Sequence, residues 1–129
     1  MVNVAVDSSL LIEEVRLGSV FWKNLKSRAR NNEIRLISSV VVLTELWAST
    51  SMNNKKDFID MEKIIEIISF VDLNQKLSKM AGEISRNYEI KGFDAIIAAT
   101  AMECGAELAT LNTKHFKNIK GLRLYDENL

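Results

Sequence analysis

Three carboxylates stand in company that is otherwise apolar. Asp7 ends the valine-rich run VNVAVD, Glu45 interrupts VVVLTELWA, and Asp94 precedes AIIAATA. Burying an ionised carboxylate without a partner is expensive, so each position needs a reason. Each has an ordinary one when taken singly. Asp7 begins an Asp-Ser-Ser stretch that can cap a following helix, Asp94 can cap the helix it opens, and Glu45 can lie on a wet helix face. Taken together they point to a site, to which Thr110 and Asn112, at the end of ELATLN, add a fourth oxygen-bearing point. Four such groups at one place make a site for a hard cation, Mg2+ or Mn2+. Like charges brought close raise one another's pKa unless a cation offsets them, so clustering is itself an argument for a bound ion.

Other chemistries lack their residues. One histidine and one cysteine are too few soft ligands for a structural zinc site, and Cys104 alone excludes an internal disulfide, which fits a reducing, cytoplasmic setting. No glycine-rich phosphate loop of either common spacing is present. No run approaches the ~20 apolar residues of a membrane span, so no membrane association is expected. The 17 basic and 17 acidic residues cancel, but they segregate: no acid lies between Glu107 and Asp126, where Lys114, Lys117, Lys120 and Arg123 fall. Such a basic stretch can position a phosphate backbone, and it can equally be a solvated surface.

The elements that must position the acids follow from periodicity. VNVAVD predicts a buried strand ending in a polar turn, followed by a short helix around 10–15 that closes near Gly18. Ser19 is a good cap for an amphipathic helix carrying Phe21, Trp22 and Leu25. EIRLIS predicts a strand, and SVVVLTELWAST a helix started by the serine pair Ser38-Ser39. Asn53-Asn54-Lys55-Lys56 reads as a polar break, DFIDMEKIIEII as a helix, SFVDLN as a strand and QKLSKMAGEISRNYEI as a helix. Lys91-Gly92-Phe93 reads as a turn, and DAIIAATAMEC as a helix apolar on most sides that Gly105 ends. ELATLN predicts a strand, TKHFKNIKG a link with one helical turn, and LRLYD a last strand. Alternation of strands and helices implies an α/β fold with a mostly parallel sheet covered on both faces. The 129 residues suit a single domain spanning 1–129. In such sheets, sites form beyond the carboxyl ends of the strands where the topology switches.

The order VDSSLLI, then LTELWAS, then GFDAIIAATAMECGAELATLNTKHFKNIKGL resembles the PIN-domain ribonucleases, and most of all the small VapC-type toxins of toxin–antitoxin pairs. The resemblance covers nearly the whole chain and implies a three-layer fold with a central sheet of four to five strands flanked by helices. It implies that Asp7, Glu45, Asp94 and Asn112 are the catalytic set. Asp7 and Asp94 would hold a magnesium or manganese ion, with Glu45 joining directly or through water and Asn112 through water. Ser8 and Thr110 would support the site. Asn112 stands where many members carry aspartate, and His115 where many have an acid before the phenylalanine. An amide oxygen can bind a cation but brings no charge, which leaves a second ion position open.

The implied activity is endonucleolytic hydrolysis of RNA, with Lys114, His115, Lys117 and Lys120 as candidate RNA contacts. The implied partners are an antitoxin protein and a second copy of the chain in a homodimer. Two other readings stand beside this one. A degenerate PIN domain would bind RNA or a protein without cutting, and a phospho-receiver-like signalling domain would place a phosphoacceptor aspartate at a strand end.

Overall fold

The computed structural model describes residues 1–128. Its sheet has four strands, all parallel, in the order β3-β2-β1-β4. The strands are β1 (Val2–Val6), β2 (Ile34–Ser39), β3 (Ser69–Val71) and β4 (Glu107–Ala109). Helices α1 (Ser8–Leu17) and α2 (Val20–Arg30) connect β1 to β2. Helices α3 (Val40–Ala48) and α4 (Lys55–Ile65), with a short 3-10 turn at Thr50–Asn53 between them, connect β2 to β3. Helices α5 (Gln75–Tyr88) and α6 (Gly92–Glu103) lead to β4, and α7 (Thr113–Phe116) follows it.

The local causes are those the residue types dictate. Ser19 accepts from the Trp22 amide and starts α2, whose Phe21, Trp22 and Leu25 are buried. Ser39 accepts from the Val41 amide and starts α3, where a run of valines would otherwise favour strand. Asn74 starts α5 in the same way, with Leu77, Ala81 and Ile84 on its buried side. Helix α6 buries Ala95, Ile97, Ala98, Ala99, Thr100 and Ala101. Its small side chains let it pack close against β1, β2 and β4, while α5 covers its outer side. The Thr100 hydroxyl donates to the Ile96 carbonyl at 2.8 Å, which satisfies its burial. Among the described residues, no buried side-chain polar atom lacks a partner.

Four expectations change. Helix α6 begins at Gly92, so Gly92 and Phe93 belong to its first turn rather than to a turn before it. The polar break is shorter than its composition implies, because Asn54 caps α4 and Lys55 and Lys56 already lie in it. Helix α1 runs for the whole of Ser8–Leu17 rather than around 10–15, because Asp7 caps it from the strand end. The last strand reduces to one parallel bridge, Leu108 with Leu124, carried by hydrogen bonds from Leu108 to the Arg123 carbonyl and from Tyr125 to the Leu108 carbonyl. The side chains around that bridge still anchor the chain end: Tyr125 stacks on Phe21 and is hydrogen-bonded by Arg28.

Strand β1 is paired with β2 on one side and β4 on the other, and the chain reaches these neighbours by opposite routes. The switch point therefore lies at the carboxyl ends of β1 and β4, where Asp7 and Thr110 emerge.

Candidate active site

Asp7 is buried and accepts three hydrogen bonds, which leave a lone pair free on Oδ1. Oδ1 accepts from the Ser8 amide at 2.8 Å. Oδ2 accepts from the Ser9 hydroxyl at 3.0 Å and from the Thr110 hydroxyl at 2.7 Å. The two hydroxyls are held in turn. Thr110 Oγ1 accepts from the Asn112 amide at 2.9 Å, and Ser9 Oγ accepts from the Leu111 amide at 3.2 Å. Each hydroxyl thus has its single proton committed to Asp7 while its lone pairs take a backbone N–H. Asp7 is both the cap of α1 and the centre of a network tying the end of β1 to the segment after β4.

Glu45 joins through Ser8, whose hydroxyl donates to Glu45 Oε1 at 3.0 Å. The ordinary reading of Glu45, an acid on a wet face, gives way here. It is partly buried, and burial pushes its carboxyl above the usual carboxylate range, opposed by the Ser8 hydrogen bond and reinforced by the charges of Asp7 and Asp94.

Asp94 is not a helix cap. The cap position of α6 is Lys91, which makes no side-chain capping bond, and Asp94 lies in the first helical turn. Its recorded partner is His115, with Nδ1 and Oδ2 3.4 Å apart. Burial again raises the carboxyl, the charge of Asp7 raises it further, and His115 and Lys91 pull it back. The three acids therefore sit within electrostatic reach of one another, with their repulsion only partly relieved by His115, Lys91 and Ser8.

Asn112 arrives by its backbone, one hydrogen bond from Thr110, while its side chain is exposed and donates no cap to α7. Lys114, His115, Lys117 and Lys120 are exposed around and beyond α7. A cavity of about 410 Å³ adjoins Asp94 and is lined by Tyr88, Lys91, Lys114 and His115 among others. Lys117 and Lys120 do not line it, and neither do Asp7 or Glu45.

These donors suit a hard cation, since they are carboxylate and amide oxygens in a cluster whose negative charge is only partly offset. Their spacing stops short of a formed cage: among the described residues, no group of three His, Cys, Asp or Glu side chains is close enough to hold an ion. The fit is therefore one of charge and donor chemistry rather than of a formed cage. Cys104 follows the last turn of α6 and packs against the core, with burial raising its thiol.

Sequence reasoning passed over Ser9, Lys91 and Tyr88. Ser9 was detectable as the second hydroxyl after Asp7. Lys91 was detectable three residues before Asp94, at the cap of the same helix, whereas Tyr88 carries no local signal, being brought there by the packing of α5 against α6.

The profile of the PIN domain family matches residues 4–122. Ribonuclease VapC19 of Mycobacterium tuberculosis is 24% identical over 116 residues, covering 86% of this chain and 90% of that protein. Among solved structures, VapBC2 from Rickettsia felis bound to a DNA fragment from its promoter superimposes with a TM-score of 0.81 at 24% identity, covering 95% of this chain and 97% of that one. DNA-bound VapBC from Salmonella typhimurium superimposes with a TM-score of 0.79 at 20% identity, covering 98% and 99%.

Proposed function

This chain belongs to the PIN domain family, and from that premise we propose that it is a metal-dependent endoribonuclease, the toxin of a toxin–antitoxin pair. The observation that carries the reading is the network around Asp7. A carboxylate fixed at the switch point of the sheet has Glu45 bound to it through Ser8, and Asp94 within reach of its charge.

Asp7 and Asp94 are the groups that would hold a magnesium or manganese ion. A divalent cation, when bound, supplies the charge that neutralises phosphate oxygens during hydrolysis. The chain's own residues do the rest. Ser8 fixes Oε1 of Glu45, leaving Oε2 to accept a proton from the attacking water. A carboxyl raised above its ordinary range is a better base near neutrality, which suits that role. Thr110 and Ser9 lock the Asp7 carboxylate so that it does not turn away from the site. Asn112 would position water or substrate without adding charge. Lys114 and His115 lie on Asp94's flank, where they would meet the phosphate backbone; Lys117 and Lys120 lie further out.

The whole chain would act as one domain in the cytoplasm. Among the described residues, no helix is long and apolar enough to cross a membrane. Trp47 on α3 and Phe58 on α4 are both exposed and pack at a tilt of 41° with ring centroids 5.1 Å apart, and Ile59 is exposed beside Phe58 on the same helix. That patch supports an antitoxin partner or a second copy of the chain. The similar solved structures from Rickettsia felis and Salmonella typhimurium are VapBC assemblies.

A second reading, a PIN domain that binds RNA or a partner without cutting, draws on the incomplete ion cage and the neutral amide of Asn112. Incubating total cellular RNA with the protein in Mn2+ or in EDTA separates the two. The first reading expects new RNA fragments from wild type only in Mn2+, and none from Asp94→Ala. Full activity in that variant ends it.

A further inference from the structure

We propose that the cavity beside Asp94 is a subsite for one nucleotide of a single-stranded RNA, with its base against Tyr88 and its phosphate between Lys91 and Lys114. The proposal rests on the ribonuclease reading and names where the substrate strand lies.

The cavity, about 410 Å³, falls within the ~300–1,000 Å³ typical of small-ligand sites. It lies between the end of α5, the 89–91 connection, the first turn of α6 and α7, so one wall is shared with Asp94. A strand seated there continues directly to the carboxylates.

The wall is fixed before any ligand arrives. Glu89 holds a left-handed backbone, φ 54, at the end of α5. The Ile90 amide donates to the Ser85 carbonyl at 3.2 Å, and the Ser85 hydroxyl donates back to the Ile90 carbonyl at 2.6 Å. The Tyr88 hydroxyl accepts from the Lys120 amide at 3.1 Å, tying this corner to the segment after α7. A non-glycine residue in this conformation is disfavoured and persists where its surroundings over-determine it, which is common at ligand-binding sites.

The charges on the wall select the ligand. Lys91 and Lys114 have no carboxylate partner within 4.0 Å among the described residues. Glu89 and Asp94 set two carboxylates against them. A bare anion gains little from such a mixed wall, and a cation is opposed by the lysines. A nucleotide carries both complements, a phosphate for the lysines and base amino donors for a carboxylate, with a π-face for an aromatic ring.

The test is fluorescence anisotropy of a fluorescein-labelled, mixed-sequence single-stranded RNA in EDTA over a salt series. Against wild type, the Lys91→Gln/Lys114→Gln variant should show a salt slope shallower by about 0.7 per lysine. Tyr88→Leu should bind about fivefold more weakly or worse, with the slope kept, while Tyr88→Phe binds as wild type does. Unchanged binding by the lysine variant, which alters only the surface, overturns the proposal, as does a wild-type protein without RNA affinity. Lysine-dependent binding in EDTA without cleavage in Mn2+ removes the ribonuclease reading and leaves the subsite. Cleavage in Mn2+ that the variants share with wild type removes the subsite alone.

Discussion

The Thr110 hydroxyl donates to Asp7 Oδ2 across 2.7 Å, joining residues 103 positions apart at the adjacent ends of β1 and β4. That bond turns two strand ends into one rigid edge. It also accounts for a buried threonine beside the one buried carboxylate among the described residues.

Thr110→Val keeps the shape and removes the donor. Asp7 loses one of its three hydrogen bonds, and the Asn112 amide loses its acceptor. The expected loss of stability is about 1–3 kcal/mol, read from urea unfolding. A change within a few tenths of a kcal/mol would show that Ser8 and Ser9 suffice to hold the carboxylate.

Asp7 and Asp94 should separate when stability and activity are measured side by side. Asp7→Ala removes the cap of α1 and should destabilise the protein by about 0.5–2 kcal/mol or more. Asp94 caps nothing and sits in a repulsive field. Asp94→Asn should therefore leave the metal-free protein as stable as wild type or more so, while abolishing cleavage. Such a trade is expected where a fold carries strain for function. Thermal melts in EDTA alongside cleavage assays check both halves.

Burial, reinforced by the neighbouring acids, sets a pH dependence. Glu45 and Asp94 are raised in the folded protein, so it binds more protons than the unfolded chain between the ordinary carboxylate range and the raised values. Their contribution to stability is thus fully present below the unfolded pKa and is lost as pH rises through the folded one. In EDTA, wild type should lose stability across that window relative to Glu45→Gln/Asp94→Asn, which cannot titrate there. Parallel curves for the two proteins would show that neither carboxyl is raised in the folded protein.

Much of this arrangement was legible before any coordinates. Asp7, Glu45 and Asp94 were conspicuous because each breaks an apolar run, and a parallel sheet says where such residues collect. The buried helix before β4 was legible from AIIAATA, since nothing in it could face water. The start of that helix was not. Gly92 and Phe93 look like turn residues, and packing of α5 on α6 overrode that local preference. Asp94's role depends on this difference, because a helix beginning two residues earlier releases it from capping. The terminal strand also misled: LRLYD has the composition of a strand, but side-chain contacts to Phe21 and Arg28 fix it with a single bridge to β4. The pairing of His115 with Asp94 has no signature in sequence, being set by how the segment after β4 folds back over α6.

The central claim is that the acids gathered around Asp7 hold a divalent cation, and thermal melts against a Mn2+ titration test it most directly. At neutral pH wild type should gain stability with rising Mn2+, by about 2.7 kcal/mol at a hundredfold excess over Kd, and lose it on adding EDTA. Asp94→Asn should gain little. An equal rise in both proteins, or none in wild type, contradicts the account.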